Sequence, residues 1–291
     1  MAKDIAKDSL KELESTLIKL QNFPLEPEVE GIVQDAIQQV EQLLKTPAGD
    51  LAAETPLVSQ IVQEQSRFVS VITHELRIPM TSIKGYADLL RQGVVGPLNE
   101  QQLNFIDVIS SNVERMSALV SDLSDITRIQ DGRLKIDPGV LSLSHCVDEA
   151  LLKLRPKINA KNQVLEIDIP GNISPAFADQ SRVVQVLANL ISNAWKFTPP
   201  GGRIRIHAQE QGPKLLIEVN DTGIGISKQD QSRLFDQFFR SEDPAVREQP
   251  GWGLGLSLTK LFIERMGGEI GFQSTLGSGS TFWITLPQHM V

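Results

Sequence analysis

Between Phe68 and Leu90, apolar residues recur at steps of three and four: Phe68, Ile72, Leu76, Pro79, Ile83, Ala87 and Leu90. At 100° per residue these positions share one face, which predicts a helix from about Pro56 to Gln92 with a single buried stripe. His74 lies roughly 190° from the centre of that stripe, a position expected to face solvent. The segment GVVGPLNE predicts a turn, with Asn99 as the cap of a second helix. That helix carries Leu103, Ile106, Ile109, Val113, Met116, Val120, Leu123 and Ile126 at helical steps. Two long helices joined by a short turn form an antiparallel hairpin, and stripes this continuous predict burial in a homodimeric four-helix bundle.

Upstream, Leu10, Leu13, Leu17 and Leu20 predict one short amphipathic helix, and Ile32, Val33, Ala36, Val40 and Leu43 another. Pro24 and Pro27 separate them, and TPAGDLAAETP reads as a linker. From about residue 133 the pattern mixes periods. Short strands are predicted in LKIDPGVLSL and VLEIDI, with a helix over SHCVDEALLKLRPKINA between them. A long helix follows over SRVVQVLANLISNAWKF with Asp179 at its cap, then strands at RIRIHAQE and KLLIEVND. A short helix over QDQSRLFDQFF, a polar loop, a helix over LGLSLTKLFIERM and two strands ending in STFWITLP complete the pattern. The fold class expected is a multidomain chain, an all-α hairpin followed by an α+β sandwich with helices on one face of a mixed sheet. The boundaries are 1–56 for an N-terminal helical segment and linker, 57–132 for the hairpin and 133–291 for the sandwich.

The 291 residues allow about two domains with cores of their own. A net charge of −8, without a basic block interleaved with aromatics, argues against nucleic acid as a ligand. The lone Cys146 excludes an internal disulfide and reads as a small apolar filler. The polar opening MAKDIAKDSLKELE has no signal-peptide core, and no apolar run reaches the roughly 18 residues of a bilayer span, so a soluble, cytoplasmic chain is expected.

Three segments of the second half could do chemistry. Asn189 and Asn193 stand four residues apart on one helix face, with Lys196 three further on. Amide oxygens suit Mg²⁺ and an ammonium suits phosphate, although the asparagines alone would serve equally to cap neighbouring loops. In NDTGIGIS, Asp221 ends a predicted strand, and Gly223 and Gly225 let backbone approach a ligand closely; DTG alone is also a common turn. In PGWGLGLSL, Gly251, Gly253 and Gly255 lead into a helix N-terminus that favours anions, with a spacing that is not that of a P-loop.

In this order, NLISNAWKF, DTGIGI, LFDQFFR and GWGLGL resemble the N box, first glycine box, F box and second glycine box of the sensor histidine kinase ATP-binding domain, whose fold is shared with DNA gyrase B, Hsp90 and MutL. THELRIPMTSIKGY resembles the family's H box, so the resemblance covers about 67 to 287. It implies a two-component histidine kinase that uses ATP and Mg²⁺ and passes a phosphoryl group from His74 to an aspartate of a response regulator. By the same resemblance Glu75 is the base beside His74, Asn193 the Mg²⁺ ligand, Asn189 its support and Lys196 a phosphate contact. Asp221 would bind the adenine amino group with Gly223 and Gly225 shaping the pocket. Gly251, Gly253 and Gly255 would hinge a lid formed by SEDPAVREQP. One departure stands out: four residues after the acceptor the family commonly has Thr or Asn, thought to orient water for dephosphorylating the partner, and here Ile78 stands there. Met80 replaces the usual leucine. The resemblance with Ile78 implies weak phosphatase activity; a non-catalytic ATP-binding scaffold and a stand-alone ATPase are the competing readings.

Overall fold

The computed structural model describes residues 55–289 and Gln34; the expectations for the rest of the N-terminal segment lie outside the described residues. From Phe68 onward the chain forms one compact unit. Helix α1 spans Thr55–Arg91 and runs through Pro79, whose missing N–H interrupts the intrahelical hydrogen bonds one turn after His74. The side chain of His74 lies outside the described residues, and with it the expectation that it faces solvent. Helix α2 spans Glu100–Gln130 and starts with a reciprocal cap: Asn99 Oδ1 accepts from the Gln102 amide and Gln102 Oε1 from the Asn99 amide, each at 2.9 Å.

The hairpin buries a narrower line than the stripe predicted. Among the described side chains of α1, those buried are Thr73, Met80 and Ala87, seven apart, along one edge of the expected face. On α2 the matching line is Ile106, Val113 and Val120, and Met80 packs with Val113 and Val120. A parallel line, Leu76 and Ile83 on α1 with Ile109 and Met116 on α2, stays exposed. Seven-residue spacing keeps one seam between two helices, and each helix here carries two such seams, of which the hairpin uses one.

The end of α2 belongs to the second half's core. Ile126, Ile129 and the following Leu134 share a cluster with the sheet and helices downstream. There β1 (Gly139–Leu141) pairs antiparallel with β3 (Ala176–Ala178), a short strand absent from the sequence reading. The predicted helix over residues 144–160 is two helices, α3 (Leu143–Leu151) and α4 (Arg155–Ala160), because Pro156 opens a new first turn and Leu152 between them is solvent-exposed. Cys146 is fully buried in this core.

Five strands make the main sheet: β2 (Val164–Asp168), β4 (Arg203–Gln211), β5 (Lys214–Asp221), β6 (Ile270–Thr275) and β7 (Gly279–Pro287), in the order β2-β4-β5-β7-β6. Only β2 and β4 are parallel, and helix α5 (Gln180–Phe197) lies in the crossover between them. One face, including Ile204, Ile206, Leu215, Ile217, Val219 and Ile284, is buried under α3, α5 and α8 (Gly255–Arg265). The other face alternates outward, as in a sheet covered on one side. The helix predicted over residues 229–239 is only α6 (Lys228–Gln231), followed by turns, and the polar loop contains a four-residue helix, α7 (Pro244–Arg247).

Arg182 on α5 forms a two-pronged ion pair with Asp125 on α2, at 2.8 and 3.2 Å, and its guanidinium also covers the Phe262 ring at 4.7 Å. Asp125 is 5% exposed, so removing its partner leaves a buried charge uncompensated. Arg182→Met is therefore expected to lower unfolding free energy by about 3 kcal/mol in urea titration, and the further change Asp125→Leu to recover part of the loss.

Candidate functional site

Helix α5 carries most of the site. Its buried face, Val183, Val186, Leu187, Leu190, Ile191 and Ala194, fixes its rotation against the sheet. Asp179 caps its start: its carboxylate accepts from the Arg182 amide, the Ser181 hydroxyl and the Asp137 amide. Burial pushes the Asp179 carboxyl up, but these hydrogen bonds prevail and hold it below the usual range. The last carbonyls are capped by side chains from the strand side. Lys161 Nζ donates to the carbonyls of Trp195 at 2.9 Å, Lys196 at 3.1 Å and Thr198 at 3.4 Å, and Gln163 Nε2 donates to Thr198 at 2.6 Å. Sequence reading missed both residues, since they lie more than 30 positions upstream of the carbonyls they cap.

The rotation presents Asn189, Asn193 and Lys196 away from the core. Asn189 Nδ2 donates to Thr259 Oγ1 on α8 at 2.9 Å, so its amide is engaged between helices. It also abuts Gly255, where an added Cβ would come within 2.3 Å of Asn189 Oδ1. Asn193 is half-buried, and its side chain makes no hydrogen bond among the described residues. Lys196 Nζ donates to the Pro250 carbonyl at 3.0 Å; burial, then Arg240 and Lys157, lowers its pKa.

Asp221 ends β5 opposite Ser280 of β7 and is 7% exposed. Its Oδ1 accepts from the Gly223 amide at 2.8 Å, yet burial outweighs this and the Ser280 amide, and raises the carboxyl pKa to about 6. The loop is bonded to α5, the Ile224 amide donating to the Phe197 carbonyl at 3.2 Å. Gly223 is pressed against the Phe197 carbonyl and Asp221 itself. Gly225 has φ +68°, and a Cβ there would stand 2.0 Å from the Thr275 carbonyl, so only glycine fits.

The polar loop closes over this end of α5. Arg240 donates to the carbonyls of Gly251 and Gln249 at 2.6 Å and Val246 at 2.7 Å, gathering the loop around one guanidinium. Gly253, φ +74°, passes so near the backbone of Phe238 and Phe239 that a Cβ would lie 2.4 Å from the Phe239 carbonyl. Gly251 has room around it, with only Lys196 Nζ within 4.0 Å of an added Cβ. A cavity of about 160 Å³ lies between the loop and α5, lined by Lys161, Lys196, Thr198, Ile224 and Glu248. Small-molecule sites usually enclose about 300 Å³ or more, so this cavity is smaller than a typical one. Glu75 is exposed on α1 beside His74. Among the described residues no three of His, Cys, Asp and Glu cluster as a metal site.

A helical hairpin is followed by an α+β sandwich that carries two amides and an ammonium on one helix and a buried carboxylate at the end of β5. Residues 64–132 match the His Kinase A (phospho-acceptor) domain, and residues 178–290 the histidine kinase-, DNA gyrase B- and HSP90-like ATPase domain. The chain belongs to the sensor histidine kinases of two-component signalling. The circadian input-output histidine kinase CikA of Synechococcus elongatus is 32% identical over 89% of this chain and 34% of its own length. Histidine protein kinase DivJ of Caulobacter vibrioides is 33% identical over 77% of this chain and 37% of its own. The chain thus spans about a third of the curated relatives it matches. Among solved structures, full-length ShkA in complex with AMPPNP shares the fold with a TM-score of 0.64 at 22% identity, covering 77% of this chain and 46% of that one. The Acinetobacter baumannii histidine kinase AdeS shares it at 0.53 and 24%, over 75% and 98%. Among the described residues no helix is long and apolar enough to cross a membrane.

Proposed function

We propose that the chain is an ATP-dependent protein-histidine kinase that phosphorylates its own His74 and passes the phosphoryl group to an aspartate of a response regulator. Residues 57–132 act as the dimerisation and phosphotransfer domain, 133–291 as the catalytic domain. The observation that carries the reading is Asn193: a half-buried amide with no hydrogen bond among the described residues, one turn from Lys196, on the helix whose end is bonded to the Asp221 loop. The Asn193 amide has no internal hydrogen bond among the described residues that a ligand would have to displace, so it can coordinate without breaking a contact of the fold.

Asn193 is free to give its oxygen to Mg²⁺, with phosphate oxygens and water filling the other positions; Asn189, engaged by Thr259, holds the adjacent turn instead. The ion when bound neutralises charge on the phosphates and orients them. Lys196 exchanges the Pro250 carbonyl for phosphate oxygen as the loop moves, and Asp221 accepts from the adenine amino group. In the transfer, a ring nitrogen of His74 bonds to the γ-phosphorus as the bond to the β-phosphate oxygen breaks and ADP leaves. Glu75 holds the ring proton at the other nitrogen. ATP as donor sets the reaction in the cytoplasm. The exposed line of Leu76, Ile83, Ile109 and Met116 supports a homodimer, since a second hairpin would bury it as a four-helix bundle.

Incubation with radiolabelled ATP is expected to give acid-labile, base-stable label on the wild type and none on His74→Gln; label retained on that variant would overturn the assignment. Nucleotide binding should also report Asp221. Its ionised form is the acceptor, so affinity levels off above about pH 7, is about halved near pH 6 and is roughly tenfold weaker near pH 5. A fluorescent-nucleotide titration over that range checks this, and Asp221→Asn should bind weakly with a flat profile. Ile78, exposed on α1, offers no hydrogen bond to a water, so dephosphorylation of the regulator is expected to be slow and to rise about tenfold in Ile78→Thr at unchanged autophosphorylation. Rapid dephosphorylation by the wild type would sink this bias.

A further inference from the structure

A cleft of about 400 Å³ opens where α1, α2, the segment after α2 and the start of α5 converge. Five cations line it, Arg77, Arg128, Arg133, Lys135 and Arg182, against one acid, Asp131. The chain as a whole carries a charge of −8, so this concentration of positive charge runs against its composition. Arg182 is committed to Asp125, and Arg133 lies 3.6 Å from Asp131. Arg77, Arg128 and Lys135 have no hydrogen-bond or ion-pair partner for their side chains among the described residues. Three uncompensated cations around one concavity repel one another, and a bound anion would relieve that repulsion.

We propose that this cleft binds a small phosphorylated molecule. Two guanidiniums and an ammonium match a multiply charged phosphate better than a single carboxylate, because the planar forks reach two oxygens at once. The volume suits a ligand of small-metabolite size. The cleft is separate from the residues assigned to ATP, which lie on the later turns of α5 and in the two glycine loops. Its walls belong to both modules: Arg77 stands three residues after His74 on α1, Arg128 on α2, Lys135 on the segment leading to the sheet. A phosphate bridging them ties the hairpin to the catalytic domain in the arrangement held by Arg182 and Asp125. Occupancy therefore slows autophosphorylation without competing with ATP, a consequence that rests on the kinase reading above.

Inorganic pyrophosphate serves as the probe, titrated calorimetrically into the full chain saturated with ADP so that the nucleotide site is filled. One saturable site is expected, weakened at least about tenfold in Arg128→Ala/Lys135→Ala through loss of two charge-assisted contacts. ADP affinity and autophosphorylation without pyrophosphate should stay as in the wild type, and pyrophosphate should slow autophosphorylation at saturating ATP in the wild type only. Absence of binding, or equal binding by the double variant, overturns the site; binding that leaves autophosphorylation unchanged overturns its regulatory role. A chain that never autophosphorylates counts against the kinase reading, and the calorimetry still decides whether the site exists.

Discussion

The arrangement of the proposed nucleotide site depends on the rotation and the two ends of helix α5. Its apolar face, from Val183 to Ala194, is pressed into the sheet and cannot turn without exposing six buried side chains. That single constraint aims Asn189, Asn193 and Lys196. The caps then set where the helix begins and stops. Asp179 ties its first turn to Asp137 and Ser181, and Lys161 and Gln163 hold its last carbonyls from the turn that precedes β2. A cap made by a lysine uses a cation at the helix end where the dipole favours one. The charge that satisfies the carbonyls also stands in the cavity wall beside Lys196.

The same helix joins the two modules. Its first turn supplies Arg182 to Asp125 on α2, while its last turn holds the Asp221 loop through Phe197. Between them, Asn189 grips α8 through Thr259. A displacement of the hairpin against α5 would thus bear on the proposed nucleotide site, because Arg182, Asn189 and Phe197 sit on one continuous, packed element. The loop over the pocket is held differently, by the carbonyl contacts of Arg240 and Lys196 rather than by core packing.

The sequence was most legible where one residue pattern had one structural meaning. The periodicity of α5, its Asp179 cap, the alternating strands β4 and β5 and the Asn99 cap all follow from local rules, and the structure has them. It was less legible where distant residues decide. The helix predicted around Phe235 stops at Gln231, and Phe238 adopts φ +61° as Gly253 packs against its backbone from 15 residues away. The hairpin's stripe was read as one face, whereas Met80 and Ala87 bury one edge and Leu76 and Ile83 remain outside; periodicity marks apolar faces without saying how many partners share them. Asn189, Asn193 and Lys196 lie on one helix, as their spacing implies, but the engagement of Asn189 by Thr259 needs the packing of α8.

The strand order carries a consequence for how the chain is made. β7, the last of the five strands to be synthesised, is inserted between β5 and β6 rather than added at an edge. Until it arrives, β5 and β6 have no hydrogen-bonded neighbour on that side, and Leu215, Ile217 and Val219 are only partly covered. The helical hairpin, built from contacts close in sequence, can form on the ribosome while the sheet still lacks β7. The nascent chain thus acquires its hairpin before its sheet is complete, and the open edge of β5 is the surface a chaperone would have to shield in the interval.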